Sequence, residues 1–139
     1  YEEVGGNIVA VEDVPCEHTD RYGILDVADD NGRLARAKGL VEKPSPDEAP
    51  STLSIIGRYI LQPEVFNHLD KHEPGAGGEI QLTDAMAKTV ESIPFHGFRF
   101  EGQRFDCGTK LGFVIANVAF AAARSDLRDD IHDMLQDIF

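Results

Sequence analysis

Alternation between polar and apolar residues dominates the first part of the chain. NIVAVEDV at 7–14, RYGILDV at 21–27, RLARAKGLVEK at 33–43 and TLSIIGRYIL at 52–61 are rich in Val, Ile and Leu and are bounded by turn residues. A period of two puts successive side chains on opposite faces of a sheet, so these runs predict strands rather than helices. Between the second and third runs, ADDNG supplies Asp30, Asn31 and Gly32, residues that tolerate positive φ, and 21–43 is expected to form a hairpin. PSPDEAPS is a proline-rich surface loop. The run after it is the most apolar and is expected at the centre of the sheet.

Beyond residue 61 the period changes. Pro63 suits a first helical turn, with Val65, Phe66 and Leu69 as the buried stripe of a short helix. EPGAGGE at 73–79 is a glycine loop, IQLTDAMAKTVES at 80–92 has a helical pattern, and IPFHGFRFEG at 93–102 alternates again as a strand. Leu111, Val114, Ile115, Val118 and Ala122 then repeat at helical spacing, as do Leu127, Ile131, Met134, Leu135 and Ile138, with Ser125 a cap between them. The fold class is therefore α/β, a mixed sheet with flanking helices and a C-terminal helical pair. The apolar faces of that pair are long for the strands available, so they bury against core, against further chain or against another subunit.

Composition narrows the partners. The 139 residues amount to one domain or part of one, and 13 Lys and Arg against 25 Asp and Glu leave a net charge of −12. Such a surface repels nucleic acid and anionic membranes, so any phosphorylated ligand must be met by placed cations or a metal ion. No apolar run approaches the roughly 20 residues that span a bilayer. Cys16 and Cys107 lack metal-type spacing and read as reduced thiols of a cytoplasmic protein. The opening YEEVGGN has neither a starting Met nor the build of a signal peptide, so the chain is expected to begin inside a larger protein.

Short stretches that invite chemistry are each weak alone. In RYG, Gly23 is a strand irregularity or a place of close ligand approach. In VEKP, Glu42 and Lys43 are a solvated strand end or a ligand pair; Pro44 pushes Lys43 toward an extended backbone, which sends the two side chains to opposite faces unless the strand twists there. In GGEIQLTD, Thr83 and Asp84 suit a helix start, and in FDCGTK, Asp106 and Thr109 suit a helix cap. His68 and His72 are spaced i,i+4, but without a third ligand they read as surface residues. GAGG at 75–78 departs from the phosphate-loop patterns and reads as a turn.

Taken together and in order, GGNIVAVEDVP, HTDRYGILDV, KGLVEKPSPDEAPS, IIGRYIL, PGAGGEIQLTDAM and FDCGTKLGF resemble the C-terminal half of the bacterial sugar-nucleotidyltransferase family. The thymidylyl and adenylyl branches share VEKP and a D-x-G-T element; the longer wording favours the uridylyl branch. The resemblance implies a Rossmann-like fold in which residues 1–139 are the sugar-phosphate-binding part of one domain, the nucleotide-binding half being absent. It implies uridylyl transfer from UTP to glucose 1-phosphate, giving UDP-glucose and pyrophosphate. Glu42 would bind glucose hydroxyls, Lys43 the sugar phosphate, and Gly23 would lie against the sugar. Ile56 and Gly57 would close the pocket, and Asp106 would be one of two aspartates on Mg²⁺, with Lys43 and Asp106 the catalytic pair. The chain in isolation would be inactive, and the intact protein a homo-oligomer through its C-terminal helices. Transfer from dTTP or ATP, and a non-catalytic sugar-phosphate-binding or oligomerising module, are the alternatives.

Overall fold

The computed structural model describes residues 1–75 and 78–138. They form two compact units, Tyr1–Phe100 and Glu101–Phe139. In the first unit the strands are β1 (Asn7–Asp13), β2 (Gly23–Asp30), β3 (Leu34–Glu42), β4 (Leu53–Ile60) and β5 (Phe95–Arg99), with the helices α1 (Glu64–Leu69) and α2 (Leu82–Ala87) between β4 and β5. The second unit holds α3 (Lys110–Ala123) and α4 (Arg128–Ile138).

The mixed sheet expected from the alternation is present, and it closes on itself in the order β1-β4-β2-β3-β5. β1 and β5 are parallel and the other pairs antiparallel. The apolar run at 52–61 does sit between neighbours, although β4 meets β2 only at Ile24↔Ser54. Val9, Val11, Leu25, Leu53, Ile55 and Phe95 fill the interior, and Val65 of α1 with Ala85 and Met86 of α2 join the same cluster. Buried Asn7 links three segments. It accepts from the Gln62 N–H and donates to Thr89 Oγ1 at 3.0 Å, which donates in turn to the Met86 carbonyl. Those polar groups are thereby satisfied inside an apolar core.

Local expectations differ from this structure in several places. A short 3₁₀ helix, Cys16–Arg21, occupies the approach to β2, so that strand starts at Gly23 rather than at residue 21 and runs on to Asp30. The hairpin turn is correspondingly tighter, with the Asn31 side chain accepting from the Arg33 and Leu34 N–H groups. Phe66 is 65% exposed and does not join the buried stripe, because a helix of six residues turns only part of its surface to the core. α2 ends at Ala87, well short of residue 92. The turn reading for GAGG, and the glycine loop around it, include residues 76 and 77, which lie outside the described residues, as does the side chain of Ile138.

One end of the barrel is closed by charge. The Arg99 guanidinium donates to Asp13 Oδ2 and to Asp30 Oδ1, each at 2.8 Å, tying β5 to the ends of β1 and β2. The Arg99 hydrogen bond, followed by the Gly32 N–H, holds the Asp30 carboxyl below its ordinary value. A group lowered in this way contributes stability above the unfolded carboxylate range, about pH 4, and loses it as pH falls through the folded value. Arg99→Met is expected to cost about 1–2 kcal/mol at pH 7, since the pairs are partly exposed. Urea unfolding at pH 7 and pH 3 checks it: the gap between variant and parent narrows at the lower pH, and an equal gap at both assigns the cost to packing.

Candidate functional site

Glu42 and Lys43 lie at the end of β3, and the chain there departs from the extended form that Pro44 favours. Lys43 has φ +47°, in the left-handed region. Its N–H donates to the Tyr22 carbonyl at 3.0 Å, one rung beyond the Gly23↔Glu42 pair of the β2–β3 ladder, and Pro44 is buried. In an extended strand Lys43 would follow Val41 onto the outer face while Glu42 followed Leu40 inward. The left-handed residue cancels that alternation. Lys43 Nζ reaches 3.8 Å from Glu42 Oε1, with the Glu42 side chain 11% exposed and that of Lys43 51%. A β-branched or aromatic residue would tolerate this backbone poorly, and even for Lys it is uncommon.

Gly23 sits opposite Glu42, and its lack of a side chain is required. A Cβ there would lie 2.9 Å from Thr83 Oγ1 and 3.2 Å from Glu42 Oε2. The bare Cα therefore lets a β3 side chain and an α2 side chain close over β2. Thr83 is the second residue of α2, and neither it nor Asp84 caps the helix: the N-cap is Gln81, without a side-chain cap bond. Tyr59 of β4 feels the same carboxylate. Burial first, and then the Glu42 charge, push its phenol above the ordinary value, so it stays a neutral hydroxyl through physiological pH.

Ile56 and Gly57 lie on β4 where its register with β1 slips between Val9↔Tyr59 and Val11↔Ile55. Gly57, at φ +83°, takes the left-handed backbone of that bulge, and a Cβ there would meet no heavy atom within 4 Å. Ile56 is half-buried. The structure thus brings Gly23, Glu42 and Lys43 together, with Thr83 and Glu42 both flanking the bare Cα of Gly23 and Tyr59 within range of the Glu42 charge, and puts open space over Gly57. Thr83 and Tyr59 are the site residues that reading the sequence missed. They lie within QLTD and IIGRY, but only the packing of α2 over Gly23 and the course of β4 bring them to this end of β2 and β3.

Asp106 belongs to the second unit. Its Oδ1 accepts from the Gly108 N–H at 2.9 Å and its Oδ2 pairs with Arg104 at 3.0 Å. Thr109, not Asp106, caps α3, accepting from the Gly112 N–H. The Asp106 side chain is 51% exposed. Among the described residues no group of three or more His, Cys, Asp or Glu could hold a metal ion. Mg²⁺ needs only one or two protein carboxylates and completes its shell with water and phosphate oxygens, so a half-exposed carboxylate such as that of Asp106 is chemically compatible with it. In the same unit Phe105 packs at a tilt on Phe120, with ring centroids 5.4 Å apart, while Leu111, Val114 and Ile115 remain exposed on α3 and Met134 on α4.

Comparison with known proteins identifies the family. The nucleotidyl transferase family model matches residues 2–122. A UTP–glucose-1-phosphate uridylyltransferase of Komagataeibacter xylinus is 62% identical over 111 residues, 80% of this chain and 39% of the relative. One from Bacillus subtilis is 46% identical over 94% of this chain and 45% of its own. A UTP-bound UGPase from Acinetobacter baumannii superposes with a TM-score of 0.86 at 33% identity, covering 100% of this chain and 48% of that one. A UDP-glucose pyrophosphorylase complexed with UDP-glucose gives 0.79 at 37%, covering 86% and 45%. The chain spans about half the length of these relatives or less. By the match over residues 2–122, most of its length, the chain belongs to the nucleotidyl transferase family.

Proposed function

We propose that this chain is the sugar-phosphate-binding part of an enzyme that transfers uridylyl from UTP to glucose 1-phosphate. The observation that carries the reading is the left-handed Lys43, which turns an acceptor carboxylate and a cation toward one another at a strand end. A ligand with hydroxyls at one end and phosphate at the other needs that pairing. Ionised Glu42 accepts hydrogen bonds from sugar hydroxyls. Lys43, as a point charge, meets the phosphate. Gly23 gives Glu42 room, and the backbone about Ile56 and Gly57 lines the opening. The names of the relatives supply UTP and glucose 1-phosphate as the substrates.

In the reaction a phosphate oxygen of glucose 1-phosphate attacks the α-phosphorus of UTP. A new P–O bond forms, the bond to the β-phosphate breaks, and pyrophosphate leaves with its electron pair. No protein nucleophile is needed; acceleration comes from holding two anions in line and countering charge as it develops. Lys43 does this at the acceptor phosphate. Asp106 would hold Mg²⁺, which when bound neutralises phosphate charge. The nucleotide is met by chain outside these residues. The exposed free thiols Cys16 and Cys107 suit a reducing, cytoplasmic setting. The exposed apolar face of α3 suits self-association.

The test is pyrophosphate release by the full-length protein. It is expected with UTP, glucose 1-phosphate and Mg²⁺ together, and not when any one is left out. Faster release with dTTP or ATP would assign another branch of the family, and no release with any nucleotide would make the chain a binding module. Sedimentation of the same preparation should give a mass above that of one protomer; a monomer would remove the self-association.

A further inference from the structure

We propose that Arg104 makes the Asp106 carboxylate selective for a metal ion that arrives bound to phosphate, and keeps the bare ion off it. The inference rests on the reading of Asp106 as a Mg²⁺ ligand and extends it to a residue that reading leaves without a task. The segment is held firmly within its own unit. Phe105, between the two residues, packs on Phe120 of α3 with ring centroids 5.4 Å apart. The Asp106 carbonyl lies against the bare Cα of Gly112, where a Cβ would collide with it. On this footing the carboxylate is oriented by near neighbours: Oδ1 accepts from the Gly108 N–H at 2.9 Å and Oδ2 from Arg104 Nη2 at 3.0 Å.

Stability does not account for the Arg104 pair. An ion pair with a half-exposed partner contributes little to folding, and the Asp106 side chain is 51% exposed. The Arg104 side chain is only 21% exposed, so its charge has been drawn partly out of water at a cost. A guanidinium stays protonated at any physiological pH, so the carboxylate and its neighbour sum to no net charge. A bare divalent cation gains little from such a pair, because the arginine repels it. A metal–nucleotide complex keeps net negative charge on its phosphates. The guanidinium attracts that complex, and its fork of donors matches phosphate oxygens. In a chain of net charge −12, which draws bare cations to its surface, one arginine thus decides in which form the metal is taken.

The experiment uses the full-length protein freed of metal, with Mn²⁺ as a paramagnetic stand-in for Mg²⁺ and the free ion read by electron paramagnetic resonance. Titrations are run without nucleotide and with UTP. Binding at Asp106 is the Mn²⁺ uptake that is lost in Asp106→Asn. Without nucleotide, Arg104→Gln is expected to bind Mn²⁺ there about 3–5-fold more tightly than the parent, as removal of a partly exposed like charge predicts. Its KM for UTP at saturating Mg²⁺ should rise by a similar factor. Arg104→Lys keeps the charge and should stay near the parent for the bare ion; Arg104→Met replaces Arg104→Gln if that variant does not fold. Bare-ion affinity that is unchanged or weakened in Arg104→Gln overturns the proposal, the weakened case making the guanidinium only an orienting group. A KM for UTP equal to the parent's overturns it as well. If parent and Asp106→Asn bind Mn²⁺ equally with UTP present, the reading of Asp106 on which the proposal stands fails, a result separate from any effect of Arg104.

Discussion

Asp106→Asn in the full-length protein is expected to lower the rate of pyrophosphate release by at least about 10²-fold, because a metal's stabilisation of phosphoryl charge is worth several kcal/mol and each 1.4 kcal/mol is tenfold. The choice of asparagine matters. Asp106 has a structural task, accepting from the Gly108 N–H at 2.9 Å ahead of α3. The amide oxygen of asparagine can accept that bond, so the turn is kept, while the negative charge and with it the pairing to Arg104 are lost. Asp106→Ala would remove turn and charge together. If the carboxylate holds Mg²⁺, the Asp106→Asn variant should need much more Mg²⁺ for half-maximal rate, with thermal unfolding only slightly lowered by the lost, partly exposed Arg104 pair. Near-normal turnover with the parent's Mg²⁺ dependence would leave Asp106 as a turn former paired with Arg104, and the metal would have to be held elsewhere.

Lys43→Ala is expected to raise KM for glucose 1-phosphate about 10–100-fold, in line with 1.5–3 kcal/mol for a hydrogen bond to a charged group, while KM for UTP moves little. Equal weakening of both substrates would sink the acceptor-phosphate role. The left-handed backbone supplies an internal control. Holding a non-glycine residue at φ +47° costs on the order of 1–3 kcal/mol, and that cost is carried by Lys and Ala alike. Lys43→Gly relieves it. The glycine variant should therefore be at least as stable as the parent and yet share the alanine variant's loss of glucose 1-phosphate. Recovery of binding in Lys43→Gly would show that backbone shape rather than the ammonium decides the affinity. Kinetics with each substrate varied in turn, together with urea unfolding, separates these outcomes.

Much of the fold was legible because it is written in short-range pattern. Alternation at 7–14, 33–43 and 52–61 places side chains on two faces whatever the chain does elsewhere, and β1, β3 and β4 lie within those spans. Asn31 and Gly32 turn the hairpin through bonds made within three residues. The helical spacing after residue 110 yields α3 and α4 for the same reason. Glu42 and Lys43 were likewise recognisable as a candidate pair from VEKP, though their geometry was not.

What tertiary structure decided is everything that depends on partners distant in the chain. Periodicity cannot say that β4 lies between β1 and β2, nor that the sheet closes, since pairing is chosen by the fit of whole faces. Phe66 is apolar yet exposed because α1 spends its contact surface on Val65 and Leu69. The pre-proline preference would have made Lys43 extended and split it from Glu42. A hydrogen bond to the Tyr22 carbonyl, the nearby Glu42 carboxylate and the burial of Pro44 outweigh a local preference of that modest size. Thr83 comes against Gly23, opposite Glu42 on the ladder, only because α2 packs there, over a residue far earlier in the chain. The residue types of the site are a property of the sequence; their convergence is a property of the packed barrel.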